Sequence, residues 1–112
     1  MTKRKEQRVP VSLSITYTEP GRQAQESFTA VLGGGGCFIL STAPPSEGTR
    51  LFLEFTLPDQ PRPLRLEGKV AWSRDEFKGS RPAGVGIAFK NISQKDKETL
   101  LHFIEDVLTR KI

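Results

Sequence analysis

Arg4 and Arg8 stand four residues apart in Arg4-Lys5-Glu6-Gln7-Arg8, just ahead of the first apolar alternation of the chain. Each guanidinium is a planar fork of N–H donors, a shape that fits a phosphate or the O6/N7 edge of guanine. The 112 residues carry a net charge of +4, and three of those charges sit on the first eight residues. A basic arm on a nearly neutral body suits a local grip on an anion more than a surface coated in nucleic acid. The other unusual run is Gly33-Gly34-Gly35-Gly36. Such backbone can turn N–H groups toward an anion, but it lacks the lysine and hydroxyl that complete a P-loop.

Catalytic chemistry finds little support. His102 is the only histidine, so a multi-histidine metal site cannot be assembled within the chain, and any histidine-supported triad would have to rest on this one residue. Its place beside Leu101 and Phe103 in a helical pattern fits a surface or boundary residue. Cys37 is the only cysteine, which excludes an internal disulfide and argues against a thiol zinc site. At the start of a strand it reads as a small buried hydrophobe. Asp75-Glu76 and Glu105-Asp106 are adjacent carboxylates on a loop and a helix, where neighbours do not face each other. The chain is therefore expected to be no enzyme and to hold no metal or resident cofactor.

The elements that must position the arm and the glycines follow from periodicity. Val11, Leu13, Ile15 and Tyr17 alternate with polar residues, which predicts a half-buried strand over 11–18 ended by Pro20-Gly21. Further strands are predicted over 26–32, 37–41, 51–57, 64–72 and 84–89, with the four glycines as a tight or bulged connection. After Ile92 the period changes. Ser93 and Asp96 fit a helix start, and Leu100, Leu101, Ile104, Val107 and Leu108 recur at helical spacing. This predicts a helix over 94–110 docked through Leu100, Ile104 and Leu108. Many short strands with turn signals favour a barrel or sandwich, and the phenylalanines at apolar strand positions are read as core.

Taken together, Arg4 and Arg8, the stretch Val31-Leu32-Gly33-Gly34-Gly35-Gly36 followed by Cys37-Phe38-Ile39, then Gly68-Lys69-Val70-Ala71-Trp72 and Gly84-Val85-Gly86-Ile87-Ala88-Phe89 resemble the PilZ domain family. The resemblance implies a mainly β fold, a six-stranded antiparallel β-barrel with one C-terminal α-helix, and a receptor for cyclic di-GMP. It also implies a basic N-terminal arm over 1–9 and a barrel with its helix over 10–112. Arg4 and Arg8 match the family's R-x-x-x-R motif. Its D/N-x-S-x-x-G motif falls on residues 31–36, where Gly36 is kept while Val31 replaces Asp or Asn and Gly33 replaces Ser. The implied ligand residues are Arg4, Arg8, Gly33, Gly34, Gly35 and Gly36. Valine offers no acceptor to a guanine edge and glycine no hydroxyl to a phosphate, so weak affinity is expected.

With no output domain in the barrel, a signal is expected to leave through contact with an unidentified protein partner. The alternatives are a PilZ-fold interaction module that does not bind the nucleotide and, more distantly, a barrel for single-stranded nucleic acid. No apolar run reaches the ~18 residues of a membrane span, and no secretory signal follows the N-terminal charges. A cytoplasmic bacterial signalling domain is the expectation.

Overall fold

Alternation of apolar and polar residues builds a strand wherever one face can be buried, and several segments of this chain follow it. The computed structural model describes residues 8–58, 60–74 and 82–110. Its elements are β1 (Arg8–Pro10), β2 (Ser14–Thr18), β3 (Gln25–Gly33), β4 (Gly36–Leu40), β5 (Arg50–Phe55), β6 (Leu64–Arg74), β7 (Gly84–Lys90) and the helix α1 (Gln94–Thr109). All strand pairings are antiparallel, in the order β1-β3-β2-β5-β6-β7-β4, and β3 also pairs with β4. That last pairing closes the sheet on itself. β1 and β2 lie end to end against one edge of β3, so the seven strands make the six staves of a closed barrel.

The first stave departs from the uninterrupted strand expected over 11–18. Arg8 to Pro10 pair with Gly33 to Val31, whereas Ser14 to Tyr17 pair with Phe28 to Gln25, a register one residue different. The extra residue is absorbed at Val11–Leu13, where the ladder opens as a bulge. Thr29 holds the opening together. Its hydroxyl donates to the carbonyl of Val11 at 2.6 Å and accepts from the Leu13 N–H at 2.9 Å. A buried threonine on β3 thus satisfies the backbone groups that the break leaves over.

A second irregularity matters more for the outer surface. Along β6, Leu64, Leu66 and Val70 point into the barrel, and unbroken alternation would send Trp72 after them. The register against β7 instead shifts between Val70 and Trp72. One extra residue, Ala71, flips every later side chain to the other face. Trp72 is consequently outside, 44% exposed.

Ile15, Leu32, Ile39, Leu51, Phe55, Val70 and Val85 are among the fully buried side chains of the barrel interior. Each such aliphatic or aromatic group contributes roughly 1.5–3 kcal/mol relative to exposure. Helix α1 starts at Ser93, whose side chain accepts from the Asp96 N–H at 3.1 Å, as expected for an N-cap. Leu100 and Ile104 enter the core cluster, with Phe103 and Val107 half-buried beside them. Leu108 does not dock; it is exposed, as is Leu101. At about 100° per residue, Leu108 lies some 80° round the helix from Leu100, off the stripe that Ile104 and Val107 continue. Among the described residues no helix is long and apolar enough to cross a membrane.

Candidate functional site

The pairing of β1 with β3 sets Arg8 opposite Gly33 and Pro10 opposite Val31. Directly opposed residues of a sheet share a face. Val9 and Leu32, between those pairs, are buried inside, so Arg8, Pro10, Val31 and Gly33 share the outer face. Two segments separated by more than twenty residues in sequence are brought together here. Arg8 is exposed at that position; Arg4 lies outside the described residues.

β3 ends at Gly33 and β4 starts at Gly36, leaving Gly34-Gly35 as a two-residue turn. Gly34 lies against α1: a Cβ there would come within 2.8 Å of Leu101 Cδ2. A Cβ on Gly36 would meet the carbonyl oxygen of Ile87 at 2.2 Å, so the close approach of β4 to β7 itself requires glycine. Among the described residues the glycines with positive φ are Gly21 and Gly48. The run therefore contains no left-handed residue, and in this conformation it does not form the alternating backbone of an anion nest. What these glycines supply is room.

The outer surface curves on round the barrel from there. Val31 is paired with Phe38 on β4, Phe38 with Gly86 on β7, and Gly86 with Trp72 on β6. Since Gly84 and Gly86 carry no side chains, the rings of Phe38 and Trp72 close over β7. They stack with centroids 5.2 Å apart and planes 16° from parallel. The Arg74 guanidinium lies 5.2 Å from both ring centroids, held by donation from its Nε to the Pro82 carbonyl at 2.8 Å. A flat aromatic pair with a cation on it can stack a planar group and attract an anion. The alternation of the sequence concealed this platform, because it depends on the Ala71 bulge. Glycine at both 84 and 86 in one strand was the available signal, as it marks a surface that something approaches closely.

Several expectations meet their positions here. Cys37 is buried, and desolvation raises its thiol pKa far above the usual range. His102, Glu105 and Asp106 are exposed on α1; Asp75 and Glu76 lie outside the described residues. Among the described residues no group of three or more metal-ligating side chains is gathered. The reading of the phenylalanines as core needs correction: Phe55 is buried, but Phe28 and Phe52 are exposed. They occupy the outward phase of β3 and β5, opposite Ser14 and Thr18 respectively.

Comparison with known proteins bears on this face. A search of curated proteins finds no match. Among solved structures, MotI/DgrA, an inhibitor of motility from Bacillus subtilis, superposes with a TM-score of 0.80 at 18% identity, over 99% of this chain and 54% of that one. This chain thus spans about half of that protein's length. The PilZ domain of Escherichia coli YcgR, solved with c-di-GMP, gives 0.72 at 17% identity, over 96% of this chain and 92% of that one. PlzA of Borreliella burgdorferi, also in complex with c-di-GMP, gives 0.64 at 18% identity, over 90% and 40%. At such identities the likeness establishes the fold. The PilZ domain family model matches residues 2–106, a span holding both motif segments, the closed barrel and most of the helix; the chain belongs to the PilZ domain family.

Proposed function

We propose that this chain is a receptor module, not an enzyme, that takes cyclic di-GMP on the outer face of β1, β3 and β4 and passes the event on through protein contact. The observation that carries the reading is the Arg8–Gly33 register, in which one residue of each family motif stands opposite the other. Arg4 and Arg8 supply charge-assisted donors to phosphate or guanine. The hairpin of Gly33, Gly34, Gly35 and Gly36 forms the opposing floor, and Trp72 with Phe38 offers a surface on which a base can stack. Relatives such as YcgR and PlzA hold c-di-GMP. Affinity here is weak, because Val31 and Gly33 remove two of the family's hydrogen-bonding side chains, each worth ~0.5–1.5 kcal/mol or more. The cytoplasm is the compartment in which such a receptor works.

One observation favours a second reading, an interaction module that no longer binds the nucleotide. Val31 makes the row from Pro10 through Phe38 apolar where the family places a polar group. Titration with cyclic di-GMP by calorimetry, at low and moderate salt, separates the two. The receptor reading expects measurable heat in the unaltered chain and a loss of about 10-fold or more in Arg8→Ala, the scale of one charge-assisted hydrogen bond. Binding indifferent to Arg8→Ala contradicts it. A barrel for single-stranded nucleic acid would instead show no preference for this dinucleotide and a salt slope that grows with the phosphates contacted.

A further inference from the structure

Charged residues that stand opposite one another on the outer wall of β5, β6 and β7 are matched in sign, with one exception. Glu54 faces Arg65 and Glu67 faces Lys90, and the Arg65–Glu54 pair closes at 3.2 Å. Arg50, however, stands opposite Lys69. Like charges directly opposed in a sheet destabilise it. Glu67 relieves only the arginine, because both of its oxygens are engaged. Its Oε2 lies 3.6 Å from Arg50 Nε, and its Oε1 accepts from Asn91 Nδ2 at 3.3 Å. Lys69 and Lys90 are exposed and form no ion pair among the described residues.

The three cations front one opening. Arg50, Lys69 and Lys90 line a cleft of about 500 Å³ together with Glu67 and Asn91. Lys69 is central. Arg50 is its direct neighbour on β5, and Lys90 is its diagonal neighbour on β7, two residues beyond Ala88. Such neighbours have Cβ atoms about 5 and about 7 Å apart, so the long side chains reach a common group across the curve of these consecutive staves. Three cations against one carboxylate leave the cleft with a net charge of +2. A second cleft of about 440 Å³ shares Glu67 and Asn91 with it and is lined by Phe52. That ring is 47% exposed, two residues from Arg50 on the same outward phase of β5.

We propose that these adjoining clefts are the surface through which the module meets its partner, and that they take an extended acidic segment of that protein. Its carboxylates lie on Arg50, Lys69 and Lys90, and an apolar side chain lies against Phe52. A bound carboxylate removes the repulsion between Arg50 and Lys69; a local rule broken in this way belongs to a functional surface. Alternate side chains of an extended segment stand ~7 Å apart on one side, which is also the spacing of Phe52 from Arg50. A nucleic acid fits less well, since its backbone needs a continuous basic groove. Here Glu67 lies among the cations and Glu54 beyond Phe52. The inference rests on the reading of the chain as a module acting through protein contact, and it does not require the nucleotide. β6, at the centre of this wall, is across the barrel from β3, so the segment and a cyclic dinucleotide occupy separate sides.

Amide NMR spectra of the full chain, titrated with the peptide acetyl-Ser-Leu-Ser-Glu-Glu-Glu-amide, test the proposal. Saturable shifts should centre on residues 50–52, 67–69 and 90–91, with a dissociation constant of about 0.1–1 mM for so small a contact. The same peptide with glutamine for glutamate should bind about 10-fold more weakly or worse. Lys69→Gln with Lys90→Gln should lose about 10-fold or more, and Phe52→Ser about 3-fold or more. Lys69→Gln alone should weaken the peptide while holding or raising the melting temperature, a combination that a purely structural lysine does not give. Lys95→Gln, at an exposed position of α1, should bind as the unaltered chain does. Shifts confined to Arg8 and its neighbours, equal binding of the glutamine peptide, or indifference to the lysine and Phe52 replacements overturns the proposal. Tighter binding of a six-nucleotide oligothymidylate at these residues also overturns it and assigns the wall to nucleic acid. Calorimetry with cyclic di-GMP reads the nucleotide separately, so either reading can fail alone.

Discussion

Replacing Gly86 with alanine should dislodge the aromatic platform and leave the barrel standing. A Cβ on Gly86 would sit 2.3 Å from Trp72 Nε1, 2.4 Å from Cε2 and 2.8 Å from Cζ2, distances no carbon can hold. The indole must move, and it can, because it lies outside the barrel at the edge of solvent. The stack on Phe38 is worth about 0.5–1.5 kcal/mol, and the Arg74 contact about 0.5–1 kcal/mol at an exposed site. Alanine returns about 0.4–1 kcal/mol by restricting the unfolded chain. The net loss is roughly 0–2 kcal/mol, a melting point lower by up to about ten degrees. Trp72 is the only tryptophan, so its emission reports the ring directly. It should shift red and become more open to acrylamide quenching. Gly36→Ala is the contrast. Its Cβ would meet the backbone oxygen of Ile87 at 2.2 Å, which can yield only by breaking the β4–β7 ladder, and several kcal/mol should be lost. Unchanged emission in Gly86→Ala, or equal destabilisation by both replacements, would refute the reasoning.

Other perturbations test separate parts of the fold. Ile104→Asp should cost more than the ~2–5 kcal/mol of a simple core truncation, since it also buries a carboxylate, while Leu108→Asp should stay within about 0.5 kcal/mol in urea unfolding. Thr29→Val should lose roughly 1–3 kcal/mol by leaving the Leu13 N–H and Val11 carbonyl unpaired; an unchanged denaturation midpoint would mean that water replaces the hydroxyl. The Cys37 thiol should react with a disulfide reagent only on unfolding, because burial keeps it protonated and covered. Rapid modification of the native protein would contradict that placement.

Local periodicity carried most of the architecture. The alternation from Leu13 to Tyr17 and the helical spacing of Leu100 and Ile104 each reflect one buried face, and a face is legible in neighbouring residues. What the sequence concealed depends on partners far along the chain. The break between β1 and β2 is stabilised by Thr29, sixteen residues from Leu13. The outward turn of Trp72 follows from one bulge residue whose presence shows only against β7. Leu108 recurs at helical spacing in the sequence, but it lies about 80° round the helix from Leu100 and is left exposed. The family motifs placed Arg8 and Gly33 in one site, and the register puts them opposite each other. That the polar motif position has become part of an apolar row, with Val31 between Pro10 and Phe38, became visible only once the strands were paired.

The central claim is that this face is a nucleotide site weakened by two side-chain losses. Repairing it is the most direct test. Val31→Asp restores an acceptor for guanine N–H donors, and Gly33→Ser restores a hydroxyl for phosphate. Gly33 is not among the positive-φ glycines of the described chain, so serine meets no left-handed backbone there. Calorimetric titration of the folded double variant with cyclic di-GMP should show a gain of roughly 1–3 kcal/mol over the unaltered chain, about 5- to 150-fold, and the gain should vanish when Arg8 becomes alanine. Micromolar binding by the unaltered chain, with nothing added by the double replacement, would contradict the account.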